Sequence, residues 1–186
     1  MTYLARRPLA ILIPANPLAY YSDSEERDRA DVDAHERYAE THGFVYWNVP
    51  ASGTAHVWIN DVKSVYFVRP SEEPPYRCDE VTHKGEIVSA EHFKTKNDMR
   101  SRFQAEEVQF LYGTRRKVWE LESNNGYDWN RWAGAKKFGF IFLKIRDIRP
   151  LKTRRQIGDF TRALGSPNQH VLKCEKYVIA FDQFFE

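Results

Sequence analysis

The chain has 186 residues and a formal net charge of +2, from 28 basic and 26 acidic side chains. This length suits a single domain, residues 1–186, that buries about 70% of its unfolded surface without staples. The near-neutral balance excludes a histone-like polycation, so any nucleic-acid contact must rest on local charge clusters. The two cysteines, Cys78 and Cys174, form no close-spaced pair, and no apolar run reaches the length of a signal-peptide core or a membrane span. These features predict free thiols, no zinc site and a cytoplasmic protein.

Leu9 to Ile13 is apolar and β-branched and is followed by Pro14 and Pro17, which predicts a buried strand ending in a turn. Asp23 and Ser24 can cap a charged helix from Glu25 to about Thr41, ended by His42-Gly43. Its thin apolar stripe (Val32, His35, Tyr38, Ala39) predicts a helix that covers a sheet with one face. Strands are predicted at Phe44 to Val49 and Ser64 to Val68, with a short one at Ala55 to Ile59. Gly85 to Phe93 reads as the strand returning from a Pro74-Pro75 loop.

Asp98 could cap a short helix running through Arg102 to Glu106. Tyr112 to Lys137 mixes Gly, Asn, Arg and Trp and reads as a long functional loop. Phe138 to Ile145 is nearly continuous in apolar residues, which predicts a central strand. Helices are predicted from Arg154 to Leu164 and, on helical spacing of Tyr177, Val178, Phe181, Phe184 and Phe185, from Glu175 to Phe185. The fold class is therefore α+β, a curved mixed sheet or open β-barrel with helices packed outside.

No enzyme motif is present. No serine lies in a nucleophile elbow, there is no phosphate-binding glycine loop, and the six histidines show no metal-ligand spacing. His83 and His92 read as surface or edge histidines, and Asp79-Glu80 as a solvated turn. No catalytic residue, metal or cofactor is predicted. What remains is aromatic: aromatics make up 15% of the chain, more than a core of this size needs. Trp47, Trp129 and Trp132 each sit beside polar or turn-forming residues, where an indole is better placed to face a ligand than to pack inside. The tryptophan-bearing loop is flanked by basic clusters: Arg115, Arg116 and Lys117, then Arg131, Lys136 and Lys137. A third follows the central strand and includes Arg154 and Arg155. That is the pattern of a surface tracking phosphates.

WNRWAGAKKFGFIFLKIRDIRPL resembles the part of YTH domains where a tryptophan-bearing loop turns through a Lys-rich segment into an apolar strand. SVYFVRP with GEIVSAEHF is similar to paired strands of YTH and EVE domains, and LAILIPAN and FVYWNVPAS to their first two strands. SPNQHVL also fits. The resemblance implies a PUA-like fold whose aromatic cage holds a modified base, N6-methyladenine above all. Prokaryotic relatives are the DNA-reading domains of Mcr-type modification-dependent restriction proteins. It implies cage roles for Trp47, Trp129 and Trp132, with Asn16 reading the base edge and Asn48 acting mainly through its backbone. The expected partner is nucleic acid with a modified base, DNA ahead of RNA, together with other domains or subunits of a restriction complex and no membrane. The alternatives are a modified-RNA reader, a 5-methylcytosine reader, a small nuclease or hydrolase, and a plain protein-interaction module.

Overall fold

The computed structural model describes residues 8–14, 32–51, 59–70, 78–102, 139–163, 170–171 and 178–184. The apolar runs become strands. These are β1 (Leu9–Pro14), β2 (Val45–Pro50), β3 (Val62–Pro70), β4 (Cys78–Phe93), β5 (Phe140–Gln156) and β6 (Val178–Phe181). They form one mixed sheet in the order β2-β5-β4-β3-β1-β6. β1 and β3 run parallel, with Ile13 beside Phe67, and every other pairing is antiparallel. A parallel pair needs a crossover, and here it contains the helix α1 (Val32–His42) and β2. The edges β2 and β6 do not pair with each other among the described residues.

Both faces of the sheet are covered. Ile11, Ile13, Val65 and Phe67 face one core, together with Trp47 and Leu143; Ala10, Leu12, Tyr66, Val68, Val178 and Ala180 face the other. β1 and the Val65–Val68 part of β3 are thus buried on both sides, which is why they read as continuous apolar runs rather than alternating ones. α1 lies on the first core with the predicted stripe inward: Val32, His35 and Ala39 are buried and Tyr38 is half-buried. Its last turn carries His42, which lies on the Tyr38 ring and is bonded to the Tyr38 carbonyl. Gly43, at φ +82°, ends the helix by donating its N–H to Ala39 O at 2.7 Å.

Four sequence expectations give way. The C-terminal segment forms strand β6, not a helix: Val-Ile-Ala-Phe pairs with β1 and is buried on both faces, where apolar periodicity carries no meaning. β5 runs on through the basic stretch to Gln156, so Arg154, Arg155 and Gln156 extend a strand where a helix was expected to start; a 3₁₀ turn, Ile157–Asp159, follows. Asp147, at φ +51°, marks a bulge where the β4–β5 register shifts. Ile59 opens a 3₁₀ turn, Ile59–Asp61, instead of ending a strand. The short helix α2 (Lys96–Arg102) is capped by Thr95, whose Oγ1 accepts the Asp98 N–H at 3.1 Å, not by Asp98 itself.

Candidate functional site

Trp47 sits on β2 opposite Leu143 of β5. Its side chain is 6% exposed, not the open ligand-facing ring expected from its polar neighbours. The indole is held between the His35 ring of α1 (centroids 4.2 Å, tilted) and the Phe67 ring of β3 (5.0 Å, edge-on). The polar neighbours misled because this part of β2 does not alternate: Tyr46 and Trp47 are both buried, and α1 packs on β2. Asn48 pairs with Phe142 through its place in the β2–β5 ladder. Asn16, Trp129, Trp132, Arg115, Arg116, Lys117, Arg131, Lys136 and Lys137 lie outside the described residues, as do the two cysteine side chains.

The flanks of the tryptophan-bearing segment are nevertheless fixed. On the N-terminal side, Arg102 is bound in a bidentate pair to Glu91 of β4, at 2.7 and 3.0 Å. On the C-terminal side, Gly139 accepts the Ala51 N–H at 2.9 Å. Gly139 has φ +79°, and a Cβ there would lie 1.9 Å from Phe93 O, so only glycine fits this join. Segments 52–58 and 103–138 therefore leave the described structure at one corner, where β2, β4 and β5 meet.

Of the predicted phosphate contacts, two are described. Arg154 is exposed and bonded to Glu80 at 3.1 Å. Arg155 is half-buried, its guanidinium 4.4 Å from the Phe184 ring centroid. Arg146 makes a bidentate pair with Glu86. The basic character of β5 is thus answered by acidic residues of β4, and the local field is weaker than the run of arginines suggests. Such exposed pairs contribute little stability each.

A second group was missed by sequence reading. His83, expected at a surface or strand edge, is buried at 5% exposure on β4 opposite Phe67. Its Nε2 faces Asp33 Oδ1 at 3.3 Å and Glu36 Oε2 at 3.6 Å. Asp33 and Glu36 are three residues apart on α1 and share one helix face. Arg69, at the end of β3, donates to Asp33 Oδ2 at 3.0 Å, and His83 Nδ1 lies 2.8 Å from Thr82 Oγ1. Burial, then the charges of Glu40 and Asp33, pushes the Glu36 carboxyl above its ordinary range, against the opposing pull of Arg37. Among the described residues these three side chains form the group whose ligand atoms lie close enough to hold a metal ion. No spacing rule finds such a set, because the residues come from two distant elements. The available signal was weaker: His83, Gly85 and Ile87 alternate along β4, and an inward Ile87 implies an inward His83.

Among the described residues, no helix is long and apolar enough to cross a membrane. No family model matches the chain, and no curated protein or solved structure matches it significantly.

Proposed function

We propose that the chain is a non-catalytic module that reads a modified base in DNA, N6-methyladenine in preference, by drawing the flipped base into an aromatic slot. It would serve as the specificity unit of a modification-dependent restriction system in the cytoplasm, with any nucleotide hydrolysis or cleavage supplied by other domains or subunits. The observation that carries this reading is the contact between Trp47 and Phe67. Their strands are separated by β5 and β4, which is three spacings or about 14 Å across a flat sheet, yet the ring centroids are 5.0 Å apart. A strongly curved sheet would account for that approach, and this is what favours the PUA-like, open-barrel form in this reading.

In this reading Trp47 lies beneath the slot, held between His35 and Phe67, and supports it instead of forming a free-standing wall. Trp129 and Trp132, on the segment that rejoins the sheet at Gly139, supply the walls. Asn16, two residues beyond β1, reads the base edge, and Asn48 contributes its backbone. The clusters Arg115, Arg116, Lys117, Arg131, Lys136, Lys137, Arg154 and Arg155 hold the phosphates. Stacking on one aromatic ring is worth about 1–3 kcal/mol, against a few kcal/mol to unstack a paired base. One buried methyl adds about 0.8 kcal/mol, a preference of about fourfold.

Intrinsic fluorescence titration with matched oligonucleotides tests this. The chain is expected to prefer methylated adenine in DNA, and Trp132→Ala to erase the preference while leaving weak, salt-sensitive binding. A parent chain that binds methylated and unmethylated strands equally would remove the reading. Preference for 5-methylcytosine or for RNA would keep the slot and change its ligand.

A further inference from the structure

We propose that Asp33, Glu36 and His83 form a binding site for a divalent transition-metal ion, clasping α1 to β4; this does not depend on the base-reading proposal. The spacing carries the inference. An N–H···O bond spans about 2.7–3.2 Å, and about 2.7–2.9 Å when charge-assisted. The distances from His83 Nε2 to the two carboxylates, 3.3 and 3.6 Å, exceed that range. They match the edges of a coordination tetrahedron: metal bonds of about 2.0–2.2 Å place neighbouring ligands about 3.3–3.6 Å apart.

Two of the three ligands are also held from behind, as metal ligands are. Arg69 binds Asp33 through Oδ2, leaving Oδ1 directed at His83. Thr82 Oγ1 engages His83 Nδ1. With the imidazole proton on Nδ1 and donated to Thr82 Oγ1, Nε2 can bind a cation held between it and the two carboxylate oxygens. Asp33 and Glu36 bring two carboxylates to the His83 nitrogen, a donor set that suits a divalent ion.

The donor set selects the metal. An imidazole nitrogen disfavours calcium and magnesium, which take oxygen ligands. Imidazole with carboxylates and no thiolate suits zinc, manganese or iron(II). The His83 side is buried, whereas the side chains of Asp33 and Glu36 are 38% and 21% exposed. The ion thus has a path from solvent, and its remaining coordination position faces outward.

The test uses the whole chain after chelator treatment, with Zn²⁺ followed by thermal shift and Co²⁺ by visible absorption. Zn²⁺ is expected to raise Tm, and Co²⁺ to give the intense bands of a tetrahedral nitrogen–oxygen site. Asp33→Asn and Glu36→Gln, both at partly exposed positions that tolerate the change, should each weaken Zn²⁺ binding by more than about 100-fold. Thr82→Val should weaken it by about 10- to 100-fold, as loss of an orienting bond does. His92→Ala, farther along β4, should leave it unchanged. If neither ion shifts Tm or gives a spectrum, or if Glu36→Gln binds Zn²⁺ as well as the parent, the three groups are an internal ion pair only and the proposal fails.

Discussion

Replacing Asp182 should unlatch the C-terminal segment from the sheet. Its carboxylate is 7% exposed, just beyond β6, and accepts from Ser64 Oγ at 2.6 Å, Tyr66 Oη at 2.6 Å and Lys84 Nζ at 3.3 Å. Its own N–H donates to Pro8 O at 2.8 Å, so the residue ties the segment after β6 to the chain entering β1. In Asp182→Ala the three donors lose this acceptor. Tyr66 and Lys84 retain the Phe184 carbonyl, at 3.0 and 2.7 Å, while Ser64 is stranded. Hydrogen bonds to a charged group are worth about 1.5–3 kcal/mol, and breaking a buried ion pair from one side costs about 3–5 kcal/mol. With the retained carbonyl, the expected loss is about 3–4 kcal/mol. Asp182→Asn keeps an acceptor and should lose about 1–2 kcal/mol. Urea unfolding measures both, and an unchanged m-value would show that the folded and unfolded surfaces are otherwise the same. A loss below about 1 kcal/mol for Asp182→Ala, smaller than a single charged hydrogen bond, would refute the latch.

Gly139→Ala forces a side chain into the Phe93 carbonyl at a left-handed backbone position. The backbone penalty of about 1–2 kcal/mol and overpacking of about 1–3 kcal/mol add to a loss above about 2 kcal/mol; thermal unfolding within experimental error of the parent would show that the join is looser than described. The Glu36 carboxyl, raised above its ordinary 4.5 in the folded chain, holds a proton more readily there than when unfolded. Its contribution to stability is therefore full below 4.5 and is lost as pH climbs through the folded value. In chelator, Glu36→Gln should gain on the parent from acid to neutral pH, measured as urea midpoints; parallel pH profiles for the two chains would contradict this assignment.

Strands β1, β3 and the first half of β5 were legible because apolar, β-branched runs bounded by proline or glycine have few other ways to be buried. The inward stripe of α1 was legible for the same reason: Val32, His35 and Ala39 recur at helical spacing, and a surface helix has one face to cover. β6 was not, because Tyr177, Val178, Phe181, Phe184 and Phe185 satisfy a helical period while four residues suffice for a strand buried on both sides. The second half of β5 looked like a solvated basic stretch; its buried residues Ile148 and Leu151 are spaced by exposed ones, and acidic partners on β4 accept the charge. Trp47 stood out by its polar neighbours, but its burial follows from the helix above it, and Trp129 and Trp132 lie outside the described residues. His83 with Asp33 and Glu36 was invisible because proximity between a helix and a strand more than forty residues later is a property of the sheet order.

That order also governs when the protein can assemble. β1 lies between β3 and β6, and Leu9 to Leu12 find their antiparallel partners only among residues 178–181. A chain emerging from the ribosome must therefore carry β1 half-matched until residues 178–181 have been made, with one hydrogen-bonding edge unoccupied. Long-range closure of this kind slows folding, and an unclaimed edge invites pairing with other chains. Removal of the last dozen residues should consequently yield aggregates before it yields a trimmed but soluble product.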